Sequence, residues 1–156
     1  MKKSIWAAFV ILVIIAGGCI VSDVQKTKRV TTLVNQLQLS LNKVEQGNET
    51  EIGIKVLGEL PSTPVMILTI FTDNRYLEFV PESWSDKEVV NYIGQTAGGA
   101  EANFEISRNF DGEMTVRYIQ KEKATSNPLV YVHVESKIKR IILGDTVVRT
   151  ENIRLN

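Results

Sequence analysis

One histidine and one cysteine hold all the imidazole and thiol chemistry available in 156 residues. His133 lies in Val130-Tyr131-Val132-His133-Val134, where alternation places Tyr131, His133 and Glu135 on one strand face. A histidine-activated nucleophile needs a Ser or Cys held against the imidazole. Cys19 belongs to an apolar run near the N-terminus, and no Gly-x-Ser-x-Gly elbow is present. His133 is therefore expected as a polar residue on the solvent side of a sheet. The carboxylates are scattered. Glu78 and Glu82 flank a strand end, and no pair is marked out to face across a cleft as glycoside hydrolysis requires. Asp73-Asn74 and Asp111-Gly112 read as turn residues before they read as calcium ligands. Gly94-x-x-x-Gly98-Gly99 lacks the Lys-Ser/Thr ending of a phosphate-cradling loop. A single Cys and a single His exclude a disulfide framework and a Cys/His zinc cage within one chain. No catalytic, metal or cofactor residue is expected, and the chain reads as a protein that binds and does not catalyse.

Three other features could bear chemistry. Ile15-Ala16-Gly17-Gly18-Cys19 is similar to a lipobox, with Ala16 where Leu is the common residue, so Cys19 is a candidate for lipidation. The competing reading makes Cys19 an apolar residue late in a membrane helix. Asn48-Glu49-Thr50 is a glycosylation sequon in an expected turn. Lys137, Lys139 and Arg140, with Lys121 and Lys123 before them, form a mild basic cluster. Such charges keep a sheet edge soluble, or bind an acidic surface.

The elements that position these residues begin with a hydrophobic segment. Lys2 and Lys3 precede a run from Ser4 to Ser22 without a charge, and Asp23 ends it. As a helix, residues 4–22 would span about 28 Å, close to the hydrocarbon thickness of a bilayer. Residues 1–22 read as a membrane anchor or a lipoprotein-type signal. The leading lysines favour a cytoplasmic N-terminus, with the remaining chain outside the cell membrane. Residues 23–36 read as a stalk or linker, although Val30, Leu33, Val34, Leu37, Leu41 and Val44 follow helical spacing. A short helix or linker to about residue 35, then a strand, is expected.

Residues 37–156 read as one domain. Leu37 to Asn42 alternates, Gly47-Asn48 turns, and Ile52, Ile54 and Val56 share one face of the next strand. Val65 to Thr72 is almost continuously apolar, as in a central strand covered on both faces. Tyr76 to Val80 follows, ended by Pro81. Trp84 to Ile93 is either a capped helical turn or a loop leading to a strand, and Gly94 to Gly99 reads as a turn. Ala102 to Ser107 and Met114 to Ile119 are strands around Asp111-Gly112. Leu129 to Lys139 and Arg140 to Leu143 read as one long or broken strand, and Gly144-Asp145 turns into Val147 to Leu155. Seven to nine short strands, with no amphipathic helix after residue 45, predict an all-β antiparallel sandwich. Ile52, Ile54, Val56, Ile67, Phe71, Phe104, Ile106, Val116 and Tyr118 are expected in or near its core.

The order Leu-x-Leu-x-Leu, Val44-Glu45-Gln46-Gly47-Asn48, Ile-x-Ile-x-Val, then Gly98-Gly99 before Ala102-Asn103-Phe104-Glu105-Ile106 and Gly112 to Tyr118, resembles the immunoglobulin-like sandwiches of the cell-adhesion-related CARDB type. The resemblance covers roughly residues 37–143. It implies the fold of an anchored archaeal or bacterial surface protein, and no catalytic site. The balance of 18 basic and 18 acidic residues argues against a nucleic-acid partner. The expected partners are the membrane, through residues 4–22, and a protein of the cell envelope or a membrane complex. The alternative is a solute- or glycan-binding lipoprotein accessory to transport. An exposed aromatic platform or an enclosed pocket would favour the alternative, and a flat face or open edge strand the protein partner.

Overall fold

The computed structural model describes residues 2–60, 65–73, 76–84, 89–96, 99–107, 110–121 and 129–155. One helix, α1 (Lys2–Gln36), precedes ten strands: β1 (Gln38–Gln46), β2 (Glu49–Leu57), β3 (Met66–Thr72), β4 (Leu77–Val80), β5 (Val89–Thr96), β6 (Gly99–Ile106), β7 (Glu113–Gln120), β8 (Val130–Ile138), β9 (Thr146–Arg149) and β10 (Ile153–Leu155). The strands form two sheets, ordered β1-β2-β7-β4 and β10-β8-β3-β6-β5, with β9 also on β8. Every pairing among the described residues is antiparallel. The protein is thus an all-β, two-sheet sandwich led by an apolar helix.

Alternation sets the inner faces. Ile52, Ile54 and Val56 of β2 and Met114, Val116 and Tyr118 of β7 point inward from the first sheet. Met66, Leu68 and Ile70, Ala102, Phe104 and Ile106, and Val130, Val132 and Val134 meet them from the second. Trp84 closes a short 3₁₀ turn at Pro81–Trp84 and packs edge-on against Phe79 and Phe104, with ring centroids 6.1 Å and 5.3 Å away. Residues 85–88, on which the capped-turn reading rested, lie outside the described residues. Gly99 opens β6 at φ +142°, where an added Cβ would stand 1.9 Å from the Thr72 carbonyl oxygen. Only glycine fits against the end of β3 there. Part of the Gly94–Gly99 stretch expected as a turn is strand. β5 continues through Gly94 to Thr96, and the intervening residues 97 and 98 lie outside the described ones.

Two expectations about β3 are corrected. Ile67 and Phe71 are not in the inner layer: they lie on the outer face, half-buried, while Met66, Leu68, Ile70 and Thr72 point inward. A continuous apolar run carries no alternation, so it cannot say which parity faces in. The register decides it, pairing Ile67 with Glu105 and Glu135, and Phe71 with Glu101 and Tyr131. At the C-terminus β8 stops at Ile138. The stretch after residue 145 is interrupted opposite His133 and Val134, so β9 and β10 run along β8 as two pieces. Thr150 bridges the gap: its N–H donates to the Val134 carbonyl and its Oγ1 accepts from the Val134 N–H.

α1 is a single helix of 35 residues, about 52 Å long. Its N-terminal part is long and apolar enough to cross a membrane, and its large side chains, Phe9 to Ile15, are exposed. The helix does not end at Asp23. Residues 23–36 form its second part, and one face of that part docks on the sandwich. Val30, Val34 and then Leu37 are buried in the common core. Gly58, at φ +126°, sits against the junction, where a Cβ would come within 3.0 Å of Leu37. Below these contacts the Asp23 carboxylate accepts three backbone N–H bonds from the loop after β8. Ile141 donates to Oδ1 at 2.9 Å, and Ile142 and Leu143 to Oδ2 at 2.8 and 3.3 Å. Lys26 Nζ donates to the Lys139 carbonyl beside them. The Ile141 and Ile142 amides hold the Asp23 carboxyl below its ordinary pKa of 3.8, with further help from Leu143 and Arg140.

A fragment of residues 23–156 should fold and stay in solution, whereas one of residues 37–156 should be less stable by at least about 2 kcal/mol in urea, from the lost burial of Val30 and Val34. Within the longer fragment Phe104→Ala should cost roughly 3–5 kcal/mol. A spectrum dominated by helix in that fragment would contradict the fold. Asp23→Ala should destabilise it at neutral pH. Because the folded carboxyl titrates below 3.8, that difference should persist above 3.8 and vanish as the pH falls through the folded value.

Candidate functional site

The outer face of the second sheet brings three strands' worth of chemistry together. Antiparallel register aligns Asn103 of β6, Thr69 of β3 and His133 of β8 in one row. Glu101, Phe71 and Tyr131 form the row on one side. Glu105, Ile67 and Glu135 form the row on the other, extended by Arg149 of β9. These side chains rim an open depression of about 470 Å³ lined by Ile67, Thr69, Phe71, Glu101, Asn103, His133, Glu135 and Arg149.

A polar chain crosses the depression. Thr69 Oγ1 donates to Asn103 Oδ1 at 2.7 Å, and Asn103 Nδ2 donates to Glu101 Oε1 at 2.8 Å. Phe71 and Tyr131 stack face to face across β3 and β8, with centroids 5.2 Å apart and planes 20° from parallel. Phe71 meets the His133 ring at 5.8 Å and a steep angle. His133 Nε2 lies 3.5 Å from Glu135 Oε2, and Arg149 Nη2 is 3.9 Å from the same oxygen. His133 Nδ1 is buried without a hydrogen-bond partner among the described residues.

His133 faces outward, as its alternation requires, yet it is not exposed: only 6% of its side chain is accessible. Strand parity settles the face of the sheet but not how tall the cross-strand neighbours stand. Phe71 and Glu135 cover the imidazole. Burial pushes its pKa below the ordinary 6.5, Arg149 adds to that shift, and Glu135 and Glu101 oppose it. Burial thus favours the uncharged ring, in which one nitrogen donates and the other accepts. The Thr69 hydroxyl donates to Asn103 and not to the imidazole, whereas a base-activated nucleophile would be bonded to the base. Among the described residues no group of three His, Cys, Asp or Glu side chains is placed to hold a metal ion.

The residues singled out in the sequence lie elsewhere. Cys19 is a partly exposed free thiol on the apolar part of α1. Asn48 is exposed in the β1–β2 turn, beside Gly47 at φ +68°. Lys137 is at the end of β8, 3.6 Å from Asp145. Lys139 and Arg140 belong to the loop held by Asp23, where Arg140 donates to the carbonyls of Leu143 and Gly144. Lys121 pairs with Glu78, and Lys123 lies outside the described residues. Sequence reasoning did not find Phe71, Glu101, Asn103 or Thr69 as companions of His133. The one available signal was the shared parity of Tyr131, His133 and Glu135; the partners on β3 are about sixty residues away in sequence and those on β6 about thirty.

No protein-family model matches the chain, and no curated protein matches it. Several solved structures align with it at low similarity. A chain from the structure titled manganese lipoxygenase of Gaeumannomyces graminis and partial zonadhesin of Komagataella pastoris aligns at 12% identity and a TM-score of 0.37, over 78% of this chain and 47% of that one. A form of the major pilin subunit of Bacillus cereus aligns at 12% identity and 0.36, over 75% and 40%. The major subunit of aggregative adherence fimbriae type I from Escherichia coli aligns at 6% identity and 0.37, over 78% and 95%. The chain spans less than half the length of the first two. Likeness of this degree carries no functional argument.

Proposed function

We propose that this chain is a membrane-anchored, extracytoplasmic module that binds a protein partner of the cell envelope or a membrane complex, and that it is not an enzyme. α1 is the anchor, with the lysines at its start on the cytoplasmic side. The observation that carries the reading is the open polar depression on the outer face of the second sheet, where a buried His133 Nδ1 has no partner among the described residues. An unpaired buried acceptor costs free energy that a donor from a partner would recover. Glu101 and Glu135 outnumber Arg149 around it, so a basic or amide-bearing side chain fits best.

The aromatic pair is what a glycan- or solute-binding reading would cite. Its geometry favours the protein partner instead. Phe71 and Tyr131 stack on each other and so use a face of each ring within the pair, instead of lying side by side as one flat platform.

A photo-reactive side chain at Glu105, beside the depression, should form a discrete protein adduct in native membranes. One on the opposite sheet at Glu51 should not. Phe71→Ala together with Glu135→Gln should reduce the adduct at least several-fold without unfolding the domain. Retention of a defined oligosaccharide by the fragment, lost in the same double variant, would establish the glycan reading in its place. A hydrolytic activity that vanished with His133→Ala would overturn the non-enzymatic one.

Stability should also report the neutral imidazole. The unfolded His133 titrates near 6.5 and the folded one below it, so the unfolded chain binds more protons as the pH drops through 6.5. Urea midpoints of residues 23–156 should fall from pH 7 to pH 5, and His133→Phe should flatten that slope.

A further inference from the structure

Ile141, Ile142 and Leu143 form three consecutive large apolar side chains that remain 73%, 46% and 44% exposed. A soluble loop rarely leaves such a run uncovered without a function for it. Their backbone is not free: all three amides are gathered by Asp23, and the loop's own Arg140 ties the carbonyls of Leu143 and Gly144. Asp23 is also the first charge after the uncharged run 4–22. The carboxylate that marks where the uncharged run ends therefore fixes this loop at the same height as the exposed Ile20, Val21 and Val24 of α1. Segments 23–29 and 137–145 together carry six cations, Lys26, Lys28, Arg29, Lys137, Lys139 and Arg140, against the carboxylates of Asp23 and Asp145.

We infer that the Ile141–Leu143 loop is a second membrane contact. It inserts its side chains at the headgroup–acyl boundary beside the exit of α1, with the surrounding cations at the level of anionic lipid phosphates. The inference rests on the reading of α1 as an anchor. Two features favour a lipid surface as the occupant: the apolar loop is continuous with the apolar helix, and the charge around it is complementary to anionic headgroups. Contact at two points would hold the sandwich at a set angle to the bilayer, with the depression on its outer face at a set height.

The test uses the full chain in vesicles of phosphatidylcholine and phosphatidylglycerol, with an environment-sensitive fluorophore on a single cysteine in a Cys19→Ser background. Labels at Leu12→Cys, Ile142→Cys and Glu59→Cys compare the helix, the loop and a position next to Gly58, at the far end of the helix. With spin-labelled lipid, emission at 142 should be lost to at least half the extent seen at 12, and emission at 59 should be retained. Asp23→Ala should at least halve the quenching at 142 and leave position 12 unchanged. Quenching at 12 without quenching at 142 would overturn the loop contact and leave the anchor intact; the loop would then face water or a protein. No quenching at 12 would overturn the anchor, and this inference with it. Full quenching at 142 after Asp23→Ala would overturn Asp23 as the group that sets the loop's depth.

Discussion

The Asp23 carboxylate accepting the amides of Ile141, Ile142 and Leu143 is the contact that makes one body of a helix and a sandwich. It joins residues almost 120 positions apart. A backbone loop that leaves a sheet carries N–H groups that must find partners, and a buried carboxylate is costly unless hydrogen bonds surround it. Each satisfies the other here. The loop it holds joins the end of β8 at Ile138 to the start of β9 at Thr146.

Above that point the helix works as part of the core. Val30 and Val34 are as well buried as the strand residues they touch, and Leu37 carries the apolar face into β1. A small sandwich buries a modest share of its surface, so a helix laid along it adds usefully to a narrow stability margin. It also restricts motion. A flexible stalk would let the domain swing freely, whereas a continuous helix packed into the core couples the orientation of the sandwich to that of the helix.

That coupling gives the outer face of the second sheet its setting. β3, β6 and β8 are central, each with neighbours on both sides, so the side chains between Glu101 and Arg149 stand on rigid strands. Strands of this kind present groups with little loss of freedom on binding. The Thr69–Asn103–Glu101 chain holds its own geometry, and the buried His133 has no partner for Nδ1 among the described residues. Sheets satisfy most of their polar groups, and His133 Nδ1 is an exception among the described residues.

Much of the architecture was legible in residue order. The uncharged run 4–22 announced an apolar helix, and the alternation of Ile52-Gly53-Ile54-Lys55-Val56 and of Met114 to Tyr118 named their inner faces, because a period of two is a local property of the pleat. Helical spacing at Val30, Leu33, Val34 and Leu37 was visible too, but not what it packs on. The face of β3 was not legible: Val65 to Phe71 is apolar at both parities, and only pairing with Glu101 and Glu135 turned Phe71 and Ile67 outward. Nor was the burial of His133, or its grouping with Asn103 and Glu101, or the bond from Asp23 to a loop 118 residues later. Each of these depends on which strands become neighbours and in what register. Sequence periodicity reports the face a side chain takes, while its surroundings are set by contacts between segments far apart in the chain, which only the folded sheets bring together.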